Sequence, residues 1–276
     1  MTSSKARPST AGPSLAIARA FVDARRAARP LAAFPGEPPA TLEAGYEIQE
    51  HAIELRGGQI AGWKVGKIPD HLEARLGQSR VVGPIFADEV WAPDPARPTP
   101  TPVFVGGFAA LEAEFVYELL EDAPTDKTLW TLAEAAALKG RMRIGAELAG
   151  SPLATINVLG PTVVAADFGN NHGLIAGPPL TAFGQAPDTS LVCETFIGGR
   201  SVGRGSAASI AGGPLESVRF LLAHAASRRR PLRAGCLIST GAATGIHDIV
   251  AGEDGRVSFG PHGDVRCHAV PALPAA

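Results

Sequence analysis

Residues 111–120 read L-E-A-E-F-V-Y-E-L-L. Apolar residues at every odd position alternate with a set that includes Glu112, Glu114 and Glu118, and this period of two predicts a β-strand with one apolar and one acidic face. A helix is the competing interpretation, because the apolar positions also recur at intervals of four residues. We favour the strand, since a pair of glycines and a proline-rich stretch come directly before it.

Glu112 and Glu114 would project from the same face of this strand, with their backbones about 6–7 Å apart. Two ionised carboxylates this close raise each other's pKa unless a cation lies between them. The alternative is the solvated edge of a surface strand. Glu147, inside the apolar run at 144–148, could supply a third carboxylate ligand, or it could pair with Arg141 or Arg143. Three carboxylates without histidine or cysteine favour Mg²⁺ or Mn²⁺ over Zn²⁺.

Two further stretches contain candidate functional residues. Lys64 lies in the strand-like run G-W-K-V-G at 62–66. Partial burial there would suit it to proton transfer, although a surface lysine with a buried stem fits equally well. The run S-T-G-A-A-T-G at 239–245 could offer hydroxyls and backbone amides to a carboxylate, or it could be a tight structural loop.

Composition limits the classes of function. The chain has 276 residues, of which 45% are apolar and 19% charged, so it is long enough to form one large domain or two modest ones. A net charge of −2 provides no strong field for nucleic acid or an anionic membrane. Three scattered cysteines suit neither a disulfide framework nor a zinc site. We therefore expect a cytoplasmic protein without nucleic-acid or membrane partners.

The order of patterns along the chain predicts a helical N-terminal part and a β-rich remainder. A flexible tail at 1–13 precedes a helical cap at 14–92, which includes the Lys64 strand. Five prolines between Pro93 and Pro102 form a seam before the β-rich body at 103–276. Within these parts we predict helices at about 14–28, 42–56, 70–76, 131–141 and 214–227, a buried run at 158–165 and a hairpin at 257–267.

The order of these motifs resembles the fumarylacetoacetate hydrolase superfamily, and most closely its 2-keto-4-pentenoate hydratase and 4-oxalocrotonate decarboxylase branch. The motifs are W-K-V-G at 63–66, E-A-E at 112–114, Glu147, A-D-F-G-N at 166–170 and I-S-T-G at 238–241, and the resemblance covers roughly residues 40–270. It implies an α+β fold in which mixed β-sheets form a roll or sandwich around a metal site, with a helical N-terminal cap. Homo-oligomers are also implied.

The resemblance assigns roles to particular residues. Glu112, Glu114 and Glu147 would bind Mg²⁺ or Mn²⁺, and Lys64 would act as the acid and base. Candidates for substrate binding are Asp167, Asn171, His172, Ser239 and Thr240.

The implied activity is hydration of 2-hydroxypenta-2,4-dienoate-like acids to 4-hydroxy-2-oxo acids, in the catabolism of aromatic compounds. The substrate would be held through its C1 carboxylate and C2 oxygen, Lys64 would relay a proton to give the conjugated ketone, and water would add at C4. Decarboxylation of a vinylogous 2-oxo acid is the alternative. Carbon–carbon hydrolysis needs a water-activating His/Glu pair, which neither His51 nor His71 suggests.

Three positions depart from the pattern of this branch. Val81 stands where an aspartate is usual, Gly150 where the branch has another aspartate with a nearby arginine, and Phe168 where an asparagine is usual. These changes point to an altered substrate, or to a non-catalytic relative that kept the fold.

Overall fold

The computed structural model describes residues 12–275, so the predicted tail lies almost wholly outside the described residues. The helices are α1 (Pro13–Arg26), α2 (Leu42–Arg56), α3 (Asp70–Leu76), α4 (Leu132–Ala137), α5 (Ile156–Leu159), α6 (Pro161–Ala166) and α7 (Pro214–Ser227). The strands are β1 (Ile60–Lys67), β2 (Arg80–Phe86), β3 (Val90–Trp91), β4 (Thr99–Val103), β5 (Phe108–Leu119), β6 (Gly140–Ser151), β7 (Asn171–Pro179), β8 (Val192–Ile197), β9 (Arg200–Ser206), β10 (Leu237–Ala242), β11 (His247–Asp248), β12 (Asp254–Ser258) and β13 (Asp264–Pro271).

The strands form two mixed sheets. The larger has the order β2-β1-β10-β5-β6-β7-β3, with β11 paired to β5, and the smaller has the order β4-β13-β12-β8-β9. Most neighbours are antiparallel, but β1 pairs with β10 in parallel, as do β13 with β4 and β3 with β7. Mixed sheets with a helical N-terminal segment confirm the predicted α+β class. No helix within residues 12–275 is long and apolar enough to cross a lipid bilayer.

Strand β5 shows the predicted alternation and lies at the centre of the larger sheet. Its odd-numbered side chains face the smaller sheet, where the Phe115 ring meets the Phe259 ring edge-on at 5.4 Å. Its even-numbered side chains project from the opposite face, and Glu112 lies directly across from Glu147 on β6. The register of one antiparallel pair therefore brings distant carboxylates together.

Helix α1 packs on α2, and α2 packs on α6. Buried Gln49 on α2 donates hydrogen bonds to the carbonyl oxygens of Val82 (2.9 Å) and Ala165 (2.7 Å), and the Tyr46 hydroxyl accepts one from the Val82 amide. These bonds fix α2 against β2 and α6. Strands β1 and β2, which fall in the predicted cap region, belong to the larger sheet together with β5.

Several local predictions need correction. The helix predicted at about 131–141 ends at Ala137, because Leu138 is extended and Gly140 begins β6, packed against the Tyr117 ring where a Cβ would clash at 2.2 Å. In the run predicted to be buried, Val158 is 86% exposed. The second half of the proline-rich seam forms β4, an edge strand that tolerates proline. Arg228 and Arg230, directly after α7, both bind Glu50.

We predict that Gly83→Ala destabilises the protein by about 1–3 kcal/mol or more, as over-packing in a filled core does. A Cβ at Gly83 would lie 1.9 Å from the Phe168 carbonyl oxygen, so β2 and the loop at 168–170 would have to separate. Urea unfolding measures the loss. Gly66→Ala on the neighbouring strand is the control, since its Cβ would meet nothing closer than 3.4 Å. Equal effects of the two changes would contradict the packing described.

Candidate metal centre

Glu112, Glu114 and Glu147 lie together in the interior. They are 3%, 1% and 0% exposed, and one carboxylate oxygen from each lies within 4.8 Å of the others. The alternative partners for Glu147 are occupied elsewhere, because Arg141 and Arg143 both bind Glu118, with Nε to Oε2 distances of 2.7 and 2.5 Å. The burial of Glu112 and Glu114 also excludes the alternative that they lie on the solvated edge of a surface strand.

Donors from β10 and β1 orient these carboxylates. The Ser239 hydroxyl donates to Glu147 Oε2 (3.1 Å), and the Gly241 amide donates to Glu114 Oε2 (2.7 Å). The Lys64 ammonium lies 2.9 Å from Glu147 Oε1. The Oε1 atoms of Glu112 and Glu114 are buried without a hydrogen-bond partner among the described residues, whereas Glu147 Oε1 pairs with the Lys64 ammonium. Buried carboxylate oxygens without donors are costly, and a bound cation would offset that cost.

Burial dominates the electrostatics of the cluster. It raises the pKa of Glu112 to about 7, against a lowering effect of Lys64 and a further raising effect of Glu147. Burial also raises the pKa of Glu114 well above its usual value, helped by the charges of Glu147 and Glu112. Burial opposes the charge on Lys64, but the neighbouring carboxylates outweigh it and raise the pKa of that amine. The protein thus holds several groups whose charges depend on each other.

The donor set fits a hard divalent cation. Three ionised carboxylates and one ammonium leave a net charge of about −2, which one divalent cation would neutralise. All three side-chain ligands are oxygens, the type that Mg²⁺ and Mn²⁺ prefer. Glu112, Glu114 and Glu147 would each contribute one carboxylate oxygen to the ion.

Lys64 is held by Asn170, a residue of the A-D-F-G-N motif to which the sequence assigned no role. Its ammonium donates to Asn170 Oδ1 (2.8 Å), and the side-chain amide nitrogen of Asn170 (Nδ2) in turn donates to Asn157 Oδ1 (3.0 Å). Phe168, Gly169 and Asn170 all have positive φ angles, of 53°, 64° and 56°. This conformation turns the Asn170 side chain towards Lys64, and the Gly-Asn pair was the available sequence signal for it.

A cavity of about 380 Å³ opens beside the carboxylates. Its polar lining includes Glu112 and Lys64, the two asparagines Asn157 and Asn170, and Thr240 and Arg80. The Thr240 hydroxyl donates to the Phe115 carbonyl oxygen (2.6 Å). Ser239 does not line the cavity, and its hydroxyl donates to Glu147. The structure therefore brings Ser239 and Thr240 to the site, and adds Asn157, Asn170 and Arg80.

Asp167, Asn171 and His172, the other candidates for substrate binding, do not line this cavity. Asp167 binds the Arg25 guanidinium (2.6 Å) and the Ser151 hydroxyl (2.6 Å), a buried structural pairing. Asn171 Oδ1 accepts from the Gly173 amide. His172 faces a separate cavity and packs against the Phe104 ring, with the ring centroids 4.3 Å apart.

Comparison with solved structures identifies the fold. The model matches 4-oxalocrotonate decarboxylase from Pseudomonas putida G7, complexed with magnesium and adipate, at a TM-score of 0.76 and 21% identity, over 96% of this chain and 100% of that chain. The same enzyme complexed with calcium and acetate matches at a TM-score of 0.75 and 20% identity, with the same coverage.

Fumarylpyruvate hydrolase from Pseudomonas aeruginosa, in complex with Mn²⁺ and pyruvate, matches at a TM-score of 0.54 and 16% identity, over 78% of this chain and 91% of that chain. The chain shares their fold. These matches confirm the fold that the resemblance implied. No protein-family model matches the sequence.

We predict that Glu112→Gln stabilises the metal-free protein at about pH 8, and that this gain disappears towards about pH 5. An acid whose folded pKa is raised, here from 4.5 to about 7, destabilises the folded state increasingly as the pH rises through that window. Urea unfolding in the presence of a chelator measures the difference.

Glu118→Gln on the same strand is the matched control. Its arginine partners lower the pKa of Glu118, so this change is expected to destabilise the protein at the higher pH. If both variants shifted stability in the same direction, the electrostatic description of the cluster would be wrong.

Proposed function

We propose that the chain is a divalent-metal-dependent enzyme that acts on a small 2-oxo or 2-hydroxydienoic acid. The observation that carries this proposal is the set of three buried glutamates, two of which have an oxygen without a donor among the described residues, beside Lys64 and an open cavity. A purely structural carboxylate cluster would need no cavity beside it. The presence of Ca²⁺, Mg²⁺ or Mn²⁺ in solved structures of the same fold supports the choice of a hard cation.

A bound cation would supply charge stabilisation for the C1 carboxylate and the C2 oxygen of the acid. The protein's own residues would supply orientation and proton transfer. Ser239 donates to Oε2 of Glu147, and the Gly241 amide donates to Oε2 of Glu114. These bonds fix the orientation of both carboxylate groups. Thr240 and the apolar wall residues limit where the rest of the acid can lie.

Lys64 is placed to hold and transfer the proton. Its amine is charged in the cluster because the carboxylates outweigh burial. Neutralising those carboxylates would leave burial as the main effect, which lowers the pKa of the amine and favours proton release. Asn170 holds the amine in place during the exchange. Lys64 would therefore move the proton between the C2 enol and the carbon chain.

The specific reaction we propose is hydration, in which a 2-hydroxypenta-2,4-dienoate-like acid becomes a 4-hydroxy-2-oxo acid after water adds at C4. Decarboxylation of a vinylogous 2-oxo acid is the second candidate, and the full-length similarity to 4-oxalocrotonate decarboxylase favours it. Carbon–carbon hydrolysis has less support, because no histidine among the described residues lines the cavity. His51 instead lies 4.0 Å from Glu54 on α2.

We predict that the purified protein, supplied with Mg²⁺ or Mn²⁺, consumes a 2-hydroxydienoic acid with loss of its conjugated absorbance. Hydration would leave all carbon in the 4-hydroxy-2-oxo product, whereas decarboxylation of the corresponding diacid would release carbon dioxide. Mass spectrometry of the product and a carbon dioxide assay distinguish the two. Absence of any metal-dependent turnover across both substrate types would support the non-catalytic alternative.

We predict that Glu114→Gln lowers Mn²⁺ affinity by more than ~10-fold and abolishes turnover, because it removes a direct ligand. Isothermal titration calorimetry measures the affinity. Glu118→Gln, the same change four residues along the same strand, should leave metal binding intact. Unchanged affinity in Glu114→Gln would exclude the proposed ligand set.

We predict that Lys64→Met lowers kcat by at least ~100-fold while metal binding persists, since general acid–base catalysis of this kind contributes ~10²–10⁴-fold. Lys67→Met is the control, because that lysine pairs with Asp70 at the rim, outside the carboxylate cluster. Normal turnover by Lys64→Met would remove the lysine from the proposed mechanism.

A further inference from the structure

The loop that carries Asn170 has a backbone conformation that its own residues do not all favour. Phe168, Gly169 and Asn170 follow one another in the left-handed region, with φ angles of 53°, 64° and 56°. Glycine adopts this region freely and asparagine does so more readily than most residues, but a bulky phenylalanine rarely does. Contacts from outside the loop therefore hold it in this shape, and with it the Asn170 side chain that binds Lys64.

Arg25, in the last turn of α1, binds both ends of this loop. Its Nε donates to Asp167 Oδ1 (2.6 Å), directly before the left-handed residues, and its Nη1 donates to the Asn171 carbonyl oxygen (3.2 Å), directly after them. Its Nη2 donates to the Gly150 carbonyl oxygen (2.9 Å) on β6, the strand that also carries Glu147. Because a guanidinium is a rigid planar fork, these three bonds fix the two ends of the loop relative to β6.

The Arg25 side chain is itself firmly held. The centroids of the Phe168 and Phe104 rings lie 5.1 and 5.5 Å from its guanidinium carbon, within the range at which an aromatic face attracts a cation. The Asp167 side chain is fully buried, and its second oxygen accepts a hydrogen bond from the Ser151 hydroxyl (2.6 Å). A buried pair of this kind keeps its geometry, since separating the two charges would leave one of them uncompensated.

A continuous chain of contacts runs from Arg25 to the proposed catalytic lysine. The Asn170 backbone amide donates to the Asp167 carbonyl oxygen (2.8 Å), so the residue that Arg25 binds also fixes the backbone of Asn170. The Asn170 side chain then accepts from the Lys64 ammonium (2.8 Å). Arg25 does not line the cavity beside the carboxylates. Its effect on a reaction there would therefore pass through the loop.

The second cavity, which His172 faces, lies against Arg25. It has a volume of about 350 Å³, and the Arg25, Phe104 and Phe168 side chains also line it. Truncation of Arg25 would leave a hole that opens into this cavity and ends at the Asp167 carboxylate. A free guanidinium ion carries the same planar set of N–H donors as the lost group, so it matches that hole in shape and charge.

We propose that Arg25 is a positioning residue for Lys64. It holds the loop at 167–171 in its left-handed conformation, so that Asn170 keeps the lysine amine in place for proton transfer. The role of Lys64 rests on the proposed function, whereas the dependence of the loop on Arg25 stands without it. Helix α1 thus takes part in catalysis although none of its residues lines the cavity beside the carboxylates.

The kinetic test compares Arg25→Ala, Asn170→Ala and the double variant. Each single change should lower kcat roughly 10- to 100-fold, as slight displacement of a catalytic group does, with KM and Mn²⁺ affinity close to wild type. The double variant should lose no more than either single one, because both changes break the same chain of contacts. Arg26→Ala is the control and should keep the wild-type kcat, since that arginine binds the carbonyl oxygens of Leu55 and Arg56.

Guanidinium ion distinguishes positioning from general stabilisation. Added to Arg25→Ala far below denaturing concentrations, it should restore a large part of kcat, and it should leave Asn170→Ala unchanged. Urea, which is neutral and of similar shape, and sodium chloride at the same ionic strength should not restore activity. No restoration by guanidinium, or equal restoration by urea or salt, would contradict the role assigned to the guanidinium group.

Crystal structures of the wild type and of Arg25→Ala test the loop without relying on turnover. In the variant, residues 168–170 should leave the left-handed region and Asn170 should no longer contact Lys64. An unchanged loop, or kinetic losses that add in the double variant, would overturn the inference while the proposed function stands. If the wild type has no turnover but the loop rearranges in the variant, the proposed function fails and the structural role of Arg25 remains.

Arg25→Lys keeps the test decisive if Arg25→Ala does not fold. It retains a positive charge beside Asp167 but lacks the planar fork that also reaches the two carbonyl oxygens. It should therefore lower kcat in the same direction by a smaller factor, with KM unchanged. Wild-type kcat in Arg25→Lys, with the bonds to both carbonyl oxygens absent from its crystal structure, would contradict the inference.

Discussion

Mutual repulsion among three buried carboxylates is the constraint on which the rest of this structure depends. Glu112, Glu114 and Glu147 each pay a desolvation cost, and each lies in the field of the others. The fold offsets this with one ammonium, one hydroxyl and one backbone amide, and still leaves an oxygen of Glu112 and an oxygen of Glu114 without a donor among the described residues. Such an arrangement is difficult to explain by stability alone, since apolar residues would pack there at lower cost.

The surrounding elements have the geometry that this cluster requires. Antiparallel pairing of β5 with β6 brings the glutamates together, and parallel pairing of β1 with β10 places Lys64 opposite Ser239. Helix α2 supports the other side through Gln49, which fixes β2 and α6 near the loop that carries Asn170. The helical segment therefore acts on the site indirectly, by holding the residues that hold Lys64.

The sequence predicted the elements whose signal is local. Alternation identified β5 and its acidic face, and the order of Lys64, Glu112, Glu114 and Glu147 predicted residues that the structure brings together. It could not decide which of two adjacent asparagines faces the site, because that depends on three successive left-handed residues in the loop. Asn170 rather than Asn171 contacts Lys64. Nor could it show that Asp167 pairs with Arg25, a partner 142 residues away.

A crystal structure of the protein with Mn²⁺ and oxalate, with diffraction data collected at the manganese absorption edge, tests the central claim most directly. The account predicts one strong anomalous peak bound by Glu112, Glu114 and Glu147, at about 2.0–2.2 Å from their oxygens, with oxalate completing the coordination on the cavity side. An anomalous map without a peak among these three glutamates, or with manganese bound only elsewhere, would contradict it.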